Sequence, residues 1–118
     1  MIVPEDWMQS VFTISEESEF NSYCMEIFRF QYAANPVYKE FVDYLGLDPK
    51  EIKNHVNIPF LPVAFFKDHD VICGNKDDFQ KVFTSSGTTG SVPSRHYVRY
   101  LEIYGQSFSR SFRLFYGE

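Results

Sequence analysis

The sequence is poor in the residues that announce metal, disulfide or membrane chemistry. It has two cysteines, Cys24 and Cys73, and neither belongs to a CxxC or a cysteine–histidine pair with zinc-ligand spacing. His55, His69 and His96 share no ligand spacing either. Asp68-His69-Asp70 reads as an exposed turn rather than a metal site. No apolar run approaches the length of a membrane span, and the acidic start, broken by Pro4, does not resemble a signal peptide. The expectation is a cytoplasmic protein with reduced thiols and no membrane span. There is one Trp, no low-complexity tract and no internal repeat. Cationic residues are the minority, and a net charge of −5 argues against nucleic acid as a partner.

What the chain does have is aromatic mass, with 13 Phe and 8 Tyr in 118 residues. So many large apolar rings call for a substantial core, or for surface supplied by a partner. Charge is also unevenly placed. Residues 1–80 hold 6 Lys/Arg against 14 Asp/Glu, whereas residues 81–118 hold 5 against 2. The second stretch is therefore locally basic, which suits a phosphorylated ligand.

Periodicity predicts helices first. Thr13 and Ser15, followed by Glu16, Glu17 and Glu19, form a start signal of hydroxyl and carboxylate groups. The helix it opens should run to about Ala34, with Phe20, Tyr23, Cys24, Ile27, Phe30 and Ala34 on its apolar face. Asn35-Pro36 ends this helix and starts a second, which turns Val37, Phe41, Tyr44 and Leu45 inward until Gly46 stops it. Asp48-Pro49-Lys50-Glu51 repeats the start signal for a short third helix.

Beyond Ile58 the pattern changes. Ile58-Pro59-Phe60-Leu61-Pro62 is too rich in proline for a helix interior or a central strand. A helical turn is expected over 63–67. Short strands are expected at 70–73, 80–84 and 96–98, with a turn at Gly74-Asn75-Lys76-Asp77-Asp78. A last amphipathic helix places Leu101, Tyr104, Phe108, Phe112 and Phe115 on one face. That face needs cover, and a homodimer is the expected way for the chain to provide it.

The stretch from Phe83 to Arg95, which reads FTSSGTTGSVPSR, carries most of the functional information. Thr84, Ser85, Ser86, Thr88, Thr89 and Ser91 bring hydroxyls. Gly87 and Gly90 permit positive φ, so successive backbone N–H groups can turn to one side. Donors arranged in this way suit phosphate oxygens, and Arg95 adds positive charge at the exit. The loop is not of the Walker type, because Ser91 rather than lysine follows Gly90. A plain polar turn would have the same composition, so the order of the residues matters more than their kinds.

That order, Ser85-Ser86-Gly87-Thr88-Thr89-Gly90 followed by Pro93 and a basic residue, closely resembles the phosphate-binding loop of the adenylate-forming superfamily. The superfamily usually has one residue between glycine and proline, with lysine next. Here two intervene and the basic group is Arg95, two positions past Pro93. This spacing resembles the acyl-protein synthetase family, the long-chain-fatty-acid–luciferin-component ligases. Glu26–Tyr32 with Asn35–Tyr38, and Ile58–Lys67, are similar to two further stretches of that family. The likeness runs from about Val11 through nearly the whole chain.

The resemblance implies a mixed α/β chain. Residues 1–57 would form an amino-terminal helical subdomain, and residues 58–118 the first strands, Gly-rich loop and helix of an incomplete adenylate-forming domain. It implies an acyl-activating ligase: a carboxylic acid, expected to be a fatty acid, attacks ATP to give an acyl-adenylate and then passes to a thiol. ATP and Mg²⁺ are the implied cofactors, and an acyl acceptor or protein partner is implied too. Ser85, Ser86, Gly87, Thr88, Thr89, Gly90 and Arg95 would contact the nucleotide phosphates. Groups that grip adenine, bind metal and receive the acyl chain lie downstream of this loop in the family. The chain is therefore expected to be an amino-terminal fragment, inactive alone. The competing expectation is a truncated, non-catalytic interaction or scaffold module from the same family. Cys24 and Cys73 are expected to fill core space.

Overall fold

The computed structural model describes Trp7 and residues 10–85 and 92–117. Helix α1 spans Glu17–Ala34 and α2 spans Pro36–Tyr44, with Asn35 as their whole connection. Single 3-10 turns follow at Pro49–Glu51 and His55–Asn57. The short helix α3 covers Phe65–Asp68, and another 3-10 turn lies at Lys76–Asp78. Strands β1 (Lys81–Thr84) and β2 (Arg95–Val98) form a two-stranded antiparallel sheet, and α4 (Leu101–Tyr116) ends the described fold. The result is a mostly helical structure with one small sheet.

The junction of α1 and α2 shows why the helices break where they do. Pro36 cannot donate to the ladder of α1 but fits the first position of a new helix. Asn35, only 4% exposed, satisfies the groups left over on both sides. Its N–H donates to the Gln31 carbonyl at 2.8 Å, its Nδ2 to Gln31 Oε1 at 3.0 Å, and its Oδ1 accepts the Tyr38 N–H at 3.2 Å. At the far end of α2, Gly46 takes a φ of +74°, where a side chain would be strained.

The sequence signals placed these helices well and their faces less well. No hydroxyl caps α1; Glu16 occupies the cap position without a side-chain hydrogen bond. The buried residues of α1 are Met25 and Phe28, and those of α2 are Tyr38 and Val42. The faces expected from spacing are rotated, leaving Phe20 45% and Tyr44 86% exposed. The reason is that the core is set by what packs on the helices. Ile52 completes the buried cluster, and Ile58 and Leu61 lean on it from the proline-rich strap formed by residues 58–62. The Tyr38 hydroxyl donates to the Pro59 carbonyl at 2.8 Å, tying strap to core. Burial pushes its phenol up to about 12. Phe28 and Tyr38 meet edge to face at 6.1 Å.

Two more expectations are corrected. The start signal at Asp48 yields one 3-10 turn, although Asp48 Oδ1 does accept the Lys50 N–H at 3.0 Å. Residues 70–73 form no strand. Without a neighbouring strand to pair with, they run as extended connection, and Cys73 is buried by donating its thiol to Gln31 Oε1 at 3.3 Å.

The hairpin and last helix are held by different means. Gln80, just before β1, donates its N–H to the Val98 carbonyl and accepts the Leu101 N–H on its side chain at 2.7 Å. A residue distant in sequence thus caps α4. Phe83 stacks on Tyr104 at 5.0 Å, and Arg110 lies over the Phe12 ring at 4.7 Å. No residue of α4 is buried; Phe108, Phe112 and Phe115 remain 66%, 53% and 78% exposed.

Candidate functional site

The site is the neck of the connection between β1 and β2. The strands pair in register, with Lys81 opposite Val98 and Thr84 opposite Arg95. The ladder continues one step past them. Ser85 N–H donates to the Ser94 carbonyl at 3.0 Å, and Ser94 N–H donates back to Ser85 Oγ at 3.0 Å. The two side-chain oxygens lie 2.8 Å apart, and His96 Nε2 is 3.0 Å from Ser94 Oγ. Ser94 is 5% exposed, so this polar side chain is buried only because both neighbours satisfy it. Phe66 of α3 lies against the His96 ring at 4.9 Å.

Alternation along β2 sends Arg95 and Tyr97 to the other face. Both reach Asp70. Tyr97 donates its hydroxyl to Asp70 Oδ1 at 2.7 Å, Arg95 Nη2 lies 3.2 Å from the same oxygen, and Lys76 Nζ is 2.7 Å from Oδ2. Lys76 and Tyr97, with Arg95 behind them, hold the Asp70 carboxyl below its ordinary value. The same hydrogen bond raises the Tyr97 phenol. Arg95 Nε is buried with no acceptor among the described residues.

Of the residues expected to contact phosphate, the structure places Ser85 and Arg95 at the two ends of the connection. Ser86, Gly87, Thr88, Thr89 and Gly90 lie outside the described residues. Sequence reasoning missed Asp70 as the partner of Arg95 and Ser94 as the buried link at the neck. The only available signal for Ser94 and His96 was their position directly after the loop. Asp70 gave none, because its pairing with β2 spans 25 positions or more of sequence.

The two thiols are free. Burial raises that of Cys73, in keeping with a space-filling role. Cys24 lines a groove of about 380 Å³ between α1 and the strap, with Ile27, Phe28, Leu61 and Phe66. No group of three or more His, Cys, Asp or Glu among the described residues could hold a metal ion. No helix among the described residues is long and apolar enough to cross a membrane.

Residues 8–113 match the family described as acyl-protein synthetase, LuxE. The chain belongs to the acyl-protein synthetase family. The match takes in the helical core, the strap, Asp70, the whole hairpin connection and most of α4. Neither a curated protein nor a solved structure matches the chain. Membership in the acyl-protein synthetase family points to acyl-activating ligase activity, with a fatty acid as the group activated.

Proposed function

We propose that the connection from Ser85 to Arg95 receives the outer phosphates of ATP while a fatty acid is activated. A carboxylate oxygen attacks the α-phosphorus, the bond to the β-phosphate oxygen breaks, and acyl-adenylate and pyrophosphate form. A thiol then attacks the acyl carbonyl and AMP leaves. This chain contributes the grip on the departing pyrophosphate. Its negative charge grows as the bond breaks, and preformed N–H and O–H donors stabilise it without reorganising.

The observation that carries this reading is the closed neck. Ser85 and Ser94 exchange hydrogen bonds at 3.0 Å from backbone and side chain, so the glycine- and hydroxyl-bearing residues between them start and finish at one fixed point. Arg95 leaves the next position on the opposite face of β2, its Nε buried without an acceptor among the described residues. An anion held at the neck would be met from both strand ends. Ser86, Gly87, Thr88, Thr89 and Gly90 supply the remaining donors in this reading. Mg²⁺ in this reading arrives with the triphosphate, bridging its phosphate oxygens.

The test is calorimetric titration of the chain with ATP and with pyrophosphate. Both should bind, and a Thr88→Ala, Thr89→Ala double variant should weaken each by about tenfold or more, the loss expected for donors to a charged oxygen. Equal affinity in the double variant would remove the loop from the site.

A further inference from the structure

The neck contains a hydroxyl relay whose direction depends on one histidine. A serine hydroxyl offers one proton and two lone pairs. Ser85 Oγ already accepts the Ser94 N–H at 3.0 Å, so one lone pair is used. The Ser85–Ser94 oxygen contact of 2.8 Å and the Ser94–His96 contact of 3.0 Å each need one proton. Three proton arrangements place one proton in each contact, and the one in which Ser94 accepts from both neighbours strands its own buried proton without an acceptor among the described residues, which leaves two. In one, His96 carries its proton on Nε2 and donates to Ser94, and Ser94 donates to Ser85. Both lone pairs of Ser85 are then filled, and its own proton is free for a group beyond the neck. In the other, His96 Nε2 is bare, Ser94 donates to it, and Ser85 turns its proton inward to Ser94.

An anion distinguishes the two. A phosphate oxygen accepts hydrogen bonds and cannot donate unless protonated, so it pairs with Ser85 only in the first arrangement. We propose that His96 is a positioning residue for the anion site: its Nε2–H, relayed through Ser94, keeps Ser85 a pure donor facing the connection. Binding and tautomer are then linked, each favouring the other by the same factor. The bonds in the relay also polarise one another, which strengthens the terminal Ser85 O–H as a donor. Phe66 packs against one side of the ring at 4.9 Å. This inference rests on the phosphate reading for the identity of the anion, but the relay itself is a property of Ser85, Ser94 and His96.

The experiment uses inorganic pyrophosphate as the probe at a single fixed pH. Long-range proton–nitrogen spectra of the full chain should show His96 protonated at Nε2 when pyrophosphate is bound. His96→Phe keeps a ring against Phe66 but has no proton to give, and should weaken pyrophosphate about tenfold. His96→Gln carries an amide donor of similar reach and should recover most of that loss. On a Ser85→Ala background, His96→Phe should change affinity by less than about twofold, because the relay then has no terminus. A bare Nε2 in the complex, or an undiminished His96→Phe effect without the Ser85 hydroxyl, overturns the proposal. Pyrophosphate that binds the native chain and is indifferent to His96 defeats the relay alone. Pyrophosphate that fails to bind the native chain defeats the phosphate reading, and the coupling with it.

Discussion

The helical region, α1 through the strap, and the hairpin region, β1 through α4, are built on different principles. Met25, Phe28, Tyr38, Val42 and Ile52, every one in the first region, make up the buried apolar cluster. Among its described residues the hairpin region buries one polar side chain, Ser94, and holds together by hydrogen bonds, ion pairs and stacked rings. Burial of each core side chain contributes about 1.5–3 kcal/mol, whereas a satisfied hydrogen bond adds about 0.5–1.5. The difference teaches where function can sit. Packing makes the first region a scaffold, and the second exposes groups whose pairing can change when a ligand arrives.

The strongest way to break this contrast is to remove core volume. Phe28 is 2% exposed, so Phe28→Ala should cost about 3–5 kcal/mol in urea denaturation. A loss under about 1 kcal/mol would mean that the cluster is not the main source of stability. Next comes the junction. Asn35→Ala removes the cap on α2 and one of the two hydrogen bonds to Gln31 Oε1, for about 1–2 kcal/mol by the same measurement. A change within about 0.3 kcal/mol would assign the helix break to Pro36 alone.

Asp70 sharpens the contrast from the other side. Its carboxyl is held below the ordinary value in the folded chain by Lys76 and Tyr97 first, then Arg95. A lowered value stabilises the fold above the ordinary aspartate range near pH 4, and that contribution is lost as pH falls through the lowered value. Asp70→Asn should therefore lower stability by a constant amount across pH 7–9 and flatten the acid limb below about pH 4, where the two chains converge. An unaltered acid limb would show that the cluster makes no net contribution. The smallest effect is expected at Tyr44, 86% exposed: Tyr44→Ser should stay within about 0.5 kcal/mol. A larger loss would restore the inward orientation that helical spacing alone suggests.

These cases also mark what the sequence could tell. Helix ends were legible because capping chemistry is local: Asn35-Pro36 and Gly46 act within a few residues of themselves. The hairpin was legible from alternating strands around a glycine-rich turn. Buried faces were less legible, since the strap and Ile52 decide which side of α1 and α2 is covered, and they arrive from elsewhere in the chain. Long-range polar pairs were invisible for the same reason. Asp70 meets Arg95 and Tyr97, Gln80 caps α4, and Asn21 receives the His55 N–H at 2.7 Å, each across many residues. The loop stood out because its residue order resembled a family, and the family match over residues 8–113 bears out that resemblance.

The most direct test of phosphate capture at the hairpin is an amide-resolved titration of the chain with pyrophosphate. The account predicts shifts concentrated from Ser85 to His96, with the amides of Met25, Phe28 and Val42 unmoved. Shifts centred instead on Arg110 and Arg113 of α4, or none at all, would contradict it.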